Sequence, residues 1–298
     1  MHISSLFKWK VWKNWFLQSP LSSVLPDKTY LKMRFKQKLG RPLDLENPQT
    51  LNEKLQWLKL YDRQPRYTMM ADKYAMREYI AQLLGEEYLI PLLGVWDDPE
   101  DIDFDSLPNQ FVLKCNHNSG LGMCICKDKT KLDIPKVKEN LRKGLQQNYY
   151  LTGREWPYKD IPRKITAEAF MVDESGIELK DYKVFCFNGR AEYVEVDFNR
   201  HIEHKLNPYD FSWNPLHFCD TSKNDYSANI PKPARLEDMR LIAERLSADM
   251  PFLRVDFYSI YDRLYIGELT FFPGSGFIQY EPRSMDLKYG KMLELPRK

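Results

Sequence analysis

Residues 253–272 read LRVDFYSIYDRLYIGELTFF. Two β-rich runs flank a polar break at Tyr261-Asp262-Arg263, which predicts an antiparallel hairpin. Strand side chains alternate between faces. With a three-residue loop at the break, Asp256 lies opposite Glu268 and Arg254 opposite Thr270, all four on one face. The other face carries Leu253, Val255, Phe257, Leu269 and Phe271 and reads as a core face. Two carboxylates facing each other across a hairpin repel and weaken it. A protein that builds this pair usually places something positive between them. A hard divalent cation fits, and Mg²⁺ is typically held by one or two carboxylates together with substrate phosphates. A two-residue loop would throw Asp256 and Glu268 to opposite faces, so the reading depends on register.

The chain has 298 residues, 43% of them hydrophobic, enough for one large domain or two to three subdomains. Lys+Arg 44 against Asp+Glu 42 leaves a formal charge of +2, which gives no reason to invoke nucleic acid as a partner. The cysteines (Cys115, Cys124, Cys126, Cys186 and Cys219) are odd in number and match no zinc spacing, so they read as reduced thiols of a cytoplasmic protein. No apolar run is long enough to span a membrane, and no signal peptide is visible at the N-terminus. Residues 6–17 set Lys8, Lys10 and Lys13 among Trp9, Trp12, Trp15 and Phe16. That mixture suits an interfacial helix on an anionic membrane, which would place the protein at the inner face, or a helix docking its tryptophans on the protein body.

Residues 1 to about 85 read as helical. Thr50 and Glu53 form a capping-box pattern ahead of a helix over 52–61, and a second helix is expected from Asp72 to Leu84, ended by Gly85. Strands are expected at 88–96, 111–115, 123–126 and 165–172, with a helix at 134–148. Asn188-Gly189 between 182–187 and 191–198 is a strong hairpin signal. Residues 199–233 are polar and read as loops, 236–248 as a helix. The sum is α+β, with mostly antiparallel strands in the second half.

Three lysines stand out. Lys114 ends a strand beside Asn116-His117-Asn118-Ser119-Gly120, and loops of small residues let backbone N–H groups approach phosphates. It is not a P-loop, whose glycine and lysine spacing is absent. Lys183 shares a strand face with Asp181 and Phe185. Lys73 is expected at a helix start, where a cation opposes the helix dipole.

In this order the pieces resemble the ATP-grasp superfamily: Asp72-Lys73; Phe111-Val-Leu-Lys114 with its loop; Ala167-Glu168-Ala-Phe170; Asp181-Tyr-Lys183; Arg254-Val-Asp256; Glu268-Leu-Thr270. The segments Asn52-Glu-Lys-Leu-Gln-Trp57, Lys114-Cys-Asn-His-Asn-Ser-Gly120, Asp181-Tyr-Lys-Val-Phe-Cys-Phe-Asn-Gly189 and Glu268-Leu-Thr-Phe-Phe-Pro-Gly-Ser-Gly276 look like the TupA-like ATP-grasp proteins of bacterial surface-polysaccharide clusters, founded on a teichuronopeptide biosynthesis protein. The resemblance covers roughly residues 35–295. It implies an ATP-grasp fold of two α+β lobes with largely antiparallel sheets, organised as a helical region at 1–85, a first lobe at 86–170 and a second at 171–298.

The resemblance also implies roles. Lys73 and Lys114 contact ATP phosphates, and Asn118, Ser119 and Gly120 lie in a mobile phosphate-covering loop. Glu168 begins the adenine hinge, with Phe170 and Met171 beside the base and Glu174 or Asp173 near the ribose. Lys183 reaches the phosphates from the second lobe. Asp256 and Glu268 hold Mg²⁺, with Thr270 standing where the superfamily commonly has asparagine. Arg254 faces the transferring phosphoryl group. The implied activity is an ATP- and Mg²⁺-dependent carboxylate–amine ligase working through an acyl phosphate. A uronic-acid sugar or oligosaccharide and an amino acid are the implied substrates, by family context alone. A sugar kinase of the same fold, a glycosyltransferase and a non-catalytic ATP-binding scaffold are the alternatives. The short leading segment, where many ATP-grasp ligases carry an α/β substrate domain, leaves the acceptor site unassigned.

Overall fold

The computed structural model describes residues 17, 20–200, 202–218 and 223–297. The basic-aromatic segment at 6–17 therefore lies, except for Leu17, outside the described residues, as does Cys219.

Two antiparallel sheets form the frame. The first has the order β1-β4-β2-β3, from β1 (Leu92–Trp96), β2 (Phe111–Cys115), β3 (Cys124–Cys126) and β4 (Ile165–Ala169). Alternation sorts the side chains of β2: Phe111 and Leu113 are buried in a small core with Val137 and Leu141 of the helix Ile134–Gln146, while Val112 and Lys114 face the other way.

The second sheet has the order β7-β6-β5-β8-β9, from β5 (Asp181–Phe187), β6 (Arg190–Phe198), β7 (Lys205–Tyr209), β8 (Phe252–Ile260) and β9 (Arg263–Thr270). Asn188 and Gly189 both take positive φ in the turn between β5 and β6, as a tight hairpin requires. One face (Val184, Val194, Val196, Val255, Phe257, Leu269) packs against Met239, Ala243 and Leu246 of the helix Leu236–Ser247. β7 departs from the expectation of loops across 199–233. It is an edge strand containing Pro208, and an edge is where a strand tolerates a residue without an N–H.

The β8–β9 hairpin reaches the expected pairing by an unexpected route. Its turn is two residues, Tyr261-Asp262, since Ile260 pairs with Arg263. That register alone would put Glu268 on the wrong face. It shifts between Asp256 and Phe257: Phe257 pairs with Ile266, but Asp256 pairs with Glu268, leaving Gly267 as a bulge. Ile266 therefore faces the core, and Glu268, two residues on, faces the opposite side with Asp256. A Cβ at Gly267 would lie 2.7 Å from Cε2 of Tyr258, so only glycine fits without displacing that ring.

The N-terminal helices share one core with the second sheet, through Leu31, Phe35, Leu51, Leu55 and Ile80. Three side chains of helix Leu51–Tyr61, capped by the Thr50–Glu53 box, clamp the chain beyond β9. Asn52 exchanges hydrogen bonds with the backbone of Ile278 (2.9 and 3.1 Å). Gln56 donates to Gly276 O at 2.7 Å, and the buried Lys59 ammonium to Ser275 O at 2.8 Å and Gly153 O at 2.7 Å. This clamp holds Gly274 and Ser275 in left-handed backbone conformation. The second helix starts later than expected. The segment forms helices Pro65–Ala71 and Met76–Leu83, with Asp72 and Lys73 in the turn between them. Lys73 thus does not oppose a helix dipole, and that argument for it lapses.

Gly267→Val should destabilise the fold by about 1–3 kcal/mol, as overpacking does. Chemical denaturation measures this, and an unchanged midpoint would show that the bulge is not held by the Tyr258 ring.

Candidate active site

The face of the second sheet turned away from its core carries a graded set of side chains. Registers align Glu195 (β6), Lys183 (β5), Asp256 (β8) and Glu268 (β9) in one row. The row on one side is Tyr193, Phe185, Arg254 and Thr270; on the other side lie Asp197, Asp181 and Tyr258. Alternation along four strands thus puts an aromatic pair, an arginine and five carboxylates on a single surface.

Cations from three parts of the chain neutralise it. Arg254 donates to both oxygens of Asp256, each at 2.6 Å, and to Thr270 Oγ1 at 3.1 Å. Lys73 Nζ sits 3.2 Å from Glu268 Oε1 and donates to Asn118 O at 2.9 Å, tying the loop after β2 to the second sheet. Burial works against the Glu268 carboxylate, but Lys73 and Arg254 outweigh it and hold the group below the usual carboxylate range. Burial instead pushes Asp256 up to about 7 despite its arginine. Lys183 pairs with Asp197 and not with Asp181, which shares its strand face; Arg200 pairs with both aspartates. Burial would raise Asp197, yet Lys183 and Arg200 hold it down to about 2. His204 also reaches Asp197, Nε2 to Oδ2 at 2.9 Å.

A cavity of about 330 Å³ opens between the two sheets. Its walls are largely apolar, with Ile90, Val112, Ile125, Met171 and Leu179 among them, and the Phe170 ring lies there with Lys127 Nζ 5.8 Å from its centroid. Lys114, Lys127, Glu168, Glu178, Arg200 and Tyr258 supply its polar groups. Lys114 Nζ is 2.6 Å from Glu168 Oε2, so these two form one charge pair at the cavity wall. Tyr258 is two residues from Asp256 on the same strand face, which sets the carboxylate pair one row beyond the cavity. Asn118 is buried, and Ser119 and Gly120 are exposed, Gly120 at φ 85°. Glu174 does not line the cavity; its carboxylate accepts from the Tyr261 N–H, while Asp173 is buried against Lys180 at 2.8 Å. The carboxylate of the 173–178 turn that lines the cavity is Glu178. Sequence reasoning missed it because the turn at 173–178 gives no period to count. Tyr258 was legible by alternation from Asp256, whereas Arg200 lay in a stretch with no strand signal.

The oxygen donors fit a hard divalent cation of limited kind. Among the described residues there is no cluster of three or more His, Cys, Asp or Glu that could hold a metal. Asp256, Glu268 and the Thr270 hydroxyl supply two carboxylates and one neutral oxygen. That set suits Mg²⁺ completed by substrate phosphates, not a cage made by protein alone. The described thiols Cys115, Cys124, Cys126 and Cys186 are free, and among the described residues no helix is long and apolar enough to cross a membrane.

Solved structures with a similar fold include D-alanine–D-alanine ligase from Helicobacter pylori, at 14% identity, TM-score 0.44, covering 82% of this chain and 69% of that one. The same enzyme from Bacillus anthracis, complexed with ATP, matches at 16% identity and TM-score 0.40, over 68% of this chain and 53% of that one. The ATP-grasp ligase PsnB, complexed with Mg, ADP and a phosphomimetic variant of its minimal precursor, matches at 10% identity and TM-score 0.39, over 74% and 57%. The chain thus spans little more than half the length of the latter two. No curated protein matches it in sequence. The family model described as TupA-like ATPgrasp matches residues 53–294, a span containing every residue of the charged face and of the interlobe cavity. The chain belongs to the TupA-like ATP-grasp family.

Proposed function

We propose that this protein is an ATP- and Mg²⁺-dependent carboxylate–amine ligase that joins an amino acid to a uronic-acid-containing surface polysaccharide or its precursor. The observation that carries the reading is the facing pair Asp256–Glu268, set one row beyond an apolar interlobe cavity and surrounded by Arg254, Lys73 and Lys183. Family membership supports the nucleotide. The saccharide rests on family context.

In this reading the apolar cavity takes the adenine beside Phe170 and Met171, with Glu178 in the place first considered for Glu174. Lys73, Lys114 and Lys183 bind phosphates, under the loop of Asn118, Ser119 and Gly120. Asp256, Glu268 and Thr270 would hold Mg²⁺, which supplies neutralisation of phosphate oxygens when bound. Arg254, the buried cation beside that pair, stabilises charge on the transferring phosphoryl group. The carboxylate oxygen of the acceptor attacks the γ-phosphorus, ADP leaves, and an amine then displaces phosphate from the acyl phosphate. A side-chain nucleophile has no part in this sequence.

Mg²⁺ binding should depend on nucleotide, because the facing pair supplies only two carboxylates, Asp256 and Glu268, and both already have cationic partners. Thermal shift should show little effect of Mg²⁺ alone and a large one of Mg²⁺ with ATP, about 2.7 kcal/mol at a hundredfold excess over Kd. A shift with a UDP-sugar and none with ATP would sink the nucleotide assignment.

Asp256→Asn and Glu268→Gln should each abolish turnover. Asp256→Asn should also cost apo stability, since it weakens the partner of the buried Arg254, by about 1–3 kcal/mol. Retained activity in either variant would remove the metal role.

Reaction type is tested with ATP, uronic acids or their oligosaccharides, and hydroxylamine. A ligase yields ADP, phosphate and a hydroxamate. A stable phosphosugar without hydroxamate is the signature of a kinase.

A further inference from the structure

A second cavity, of about 680 Å³, lies on the same sheet beyond Arg254. Its inner end holds Glu195 and Arg254 beside Phe185 and Tyr193, and its other walls include Lys38, Lys223 and residues 277–281 of the clamped loop. Glu195 is only 8% exposed. Its cationic neighbour on the next strand, Lys183, stays at 3.9 Å, beyond hydrogen-bond length, because that ammonium is drawn to Asp197. The charged groups facing Glu195 are therefore Lys183 from β5, Asp197 from its own strand and Arg254 from β8. A buried carboxylate at the end of a cavity, with its one ion pair at 3.9 Å, Arg254 beyond that and a hydrogen bond shared with Asp197, can take an incoming cation as a closer partner.

We propose that Glu195 binds the ammonium of an α-amino acid in this second cavity and takes a proton from it as the amine attacks. This deepens the ligase reading and rests on it. The lining offers both charges a zwitterion needs: Glu195 at the inner end for the ammonium, with Arg254 beside it, and Lys38 and Lys223 on the outer walls for the carboxylate, with Glu281 among them. At about 680 Å³ the cavity has room for the amino acid and for part of a larger acceptor. In the step itself the amine nitrogen forms a bond to the acyl carbon, and the bond from that carbon to the phosphate oxygen breaks with its electron pair going to phosphate. Of the three ammonium protons, one passes to Glu195, one leaves with the phosphate as hydrogen phosphate, and one stays on the amide. Burial raises the Glu195 carboxyl above its usual range, with Lys183 opposing and Asp197 adding to the rise, which makes it a stronger base than an exposed glutamate.

Two measurements test this. In the first, wild-type protein with Mg²⁺ and a non-hydrolysable ATP analogue is dialysed against a pool of the twenty protein amino acids. At least one should be retained, with affinity about tenfold or more lower in Glu195→Gln and partly restored in Glu195→Asp, the scale of a lost charged partner. Retention of none by wild type, or equal retention by wild type and Glu195→Gln, overturns the proposal. The second compares hydroxamate with amide formation from ATP and a glucuronate oligosaccharide. Hydroxylamine is neutral at pH 7 and needs no proton removed before attack. Glu195→Gln should lose about a hundredfold more amide than hydroxamate formation, the low end for general-base removal, and the gap should narrow as pH approaches the amine's own pKa. Equal loss in both products means a structural role and overturns the proposal. Absence of hydroxamate from wild type counts against the ligase reading, and the dialysis then decides Glu195 separately.

Discussion

Two carboxylates held face to face on neighbouring strands set the terms for the rest of the site. Like charges opposite each other on a hairpin are unfavourable, and burial makes them more so. Asp256 and Glu268 are tolerated because Arg254 and Lys73 stand against them. Those cations come from different places. Arg254 is two residues away on the same strand, whereas Lys73 comes from the turn between two N-terminal helices. The same ammonium holds the carbonyl of Asn118, so one lysine joins the second sheet to the loop that follows β2 in the first. The repulsion that weakens the hairpin in isolation is thereby used to draw three parts of the chain together.

The clamp on the chain after β9 works by a related economy. Lys59 is fully buried, and burial lowers its pKa to about 8. A buried ammonium needs acceptors, and it finds them in carbonyls of Ser275 and Gly153 and in the Gln56 side chain. Glu155, also buried, accepts from the Ser275 hydroxyl. The turn Pro273-Gly-Ser-Gly276 is thus shaped by the helix Leu51–Tyr61, which explains why Asn52-Glu-Lys-Leu-Gln-Trp57 and Glu268-Leu-Thr-Phe-Phe-Pro-Gly-Ser-Gly276 stand out together. Asn52, Gln56 and Lys59 fall on one helical face, and each bonds the segment from 275 to 278.

Much of this was legible in the sequence, and the failures have physical causes. The faces of β8 and β9 followed from alternation, and the Thr50–Glu53 cap from its spacing. The loop length did not follow, because a glycine bulge inside a strand and an added loop residue shift the register equally; only Gly267, the one glycine of β9, hinted at the bulge. β7 was hidden by Pro208, which argues against a central strand but not against an edge. Strand position alone does not choose the partner of Lys183, because side chains two apart on a strand are about as far from each other as diagonal cross-strand neighbours. Here the diagonal cross-strand carboxylate Asp197 is the partner of Lys183, and Arg200 pairs with both Asp181 and Asp197. Family resemblance proposed which residues form the site; alternation and pairing explain why Asp256, Glu268, Arg254 and Lys183 share one face.

Arg254 is the residue on which the site's two halves turn. It donates to both oxygens of Asp256, and each of those oxygens keeps a second lone pair for another partner. It also lines the second cavity, where Glu195 is an alternative anionic neighbour. Thr270 fits this arrangement. Its hydroxyl accepts from Arg254, and an asparagine there could also accept through its carbonyl but would bring a second pair of donors beside a guanidinium. A hydroxyl is smaller and rotates to suit whichever cation is near. The threonine thus gives the buried Arg254 a neutral polar partner besides Asp256, so that the guanidinium's donors are not left unpaired in the low-dielectric interior.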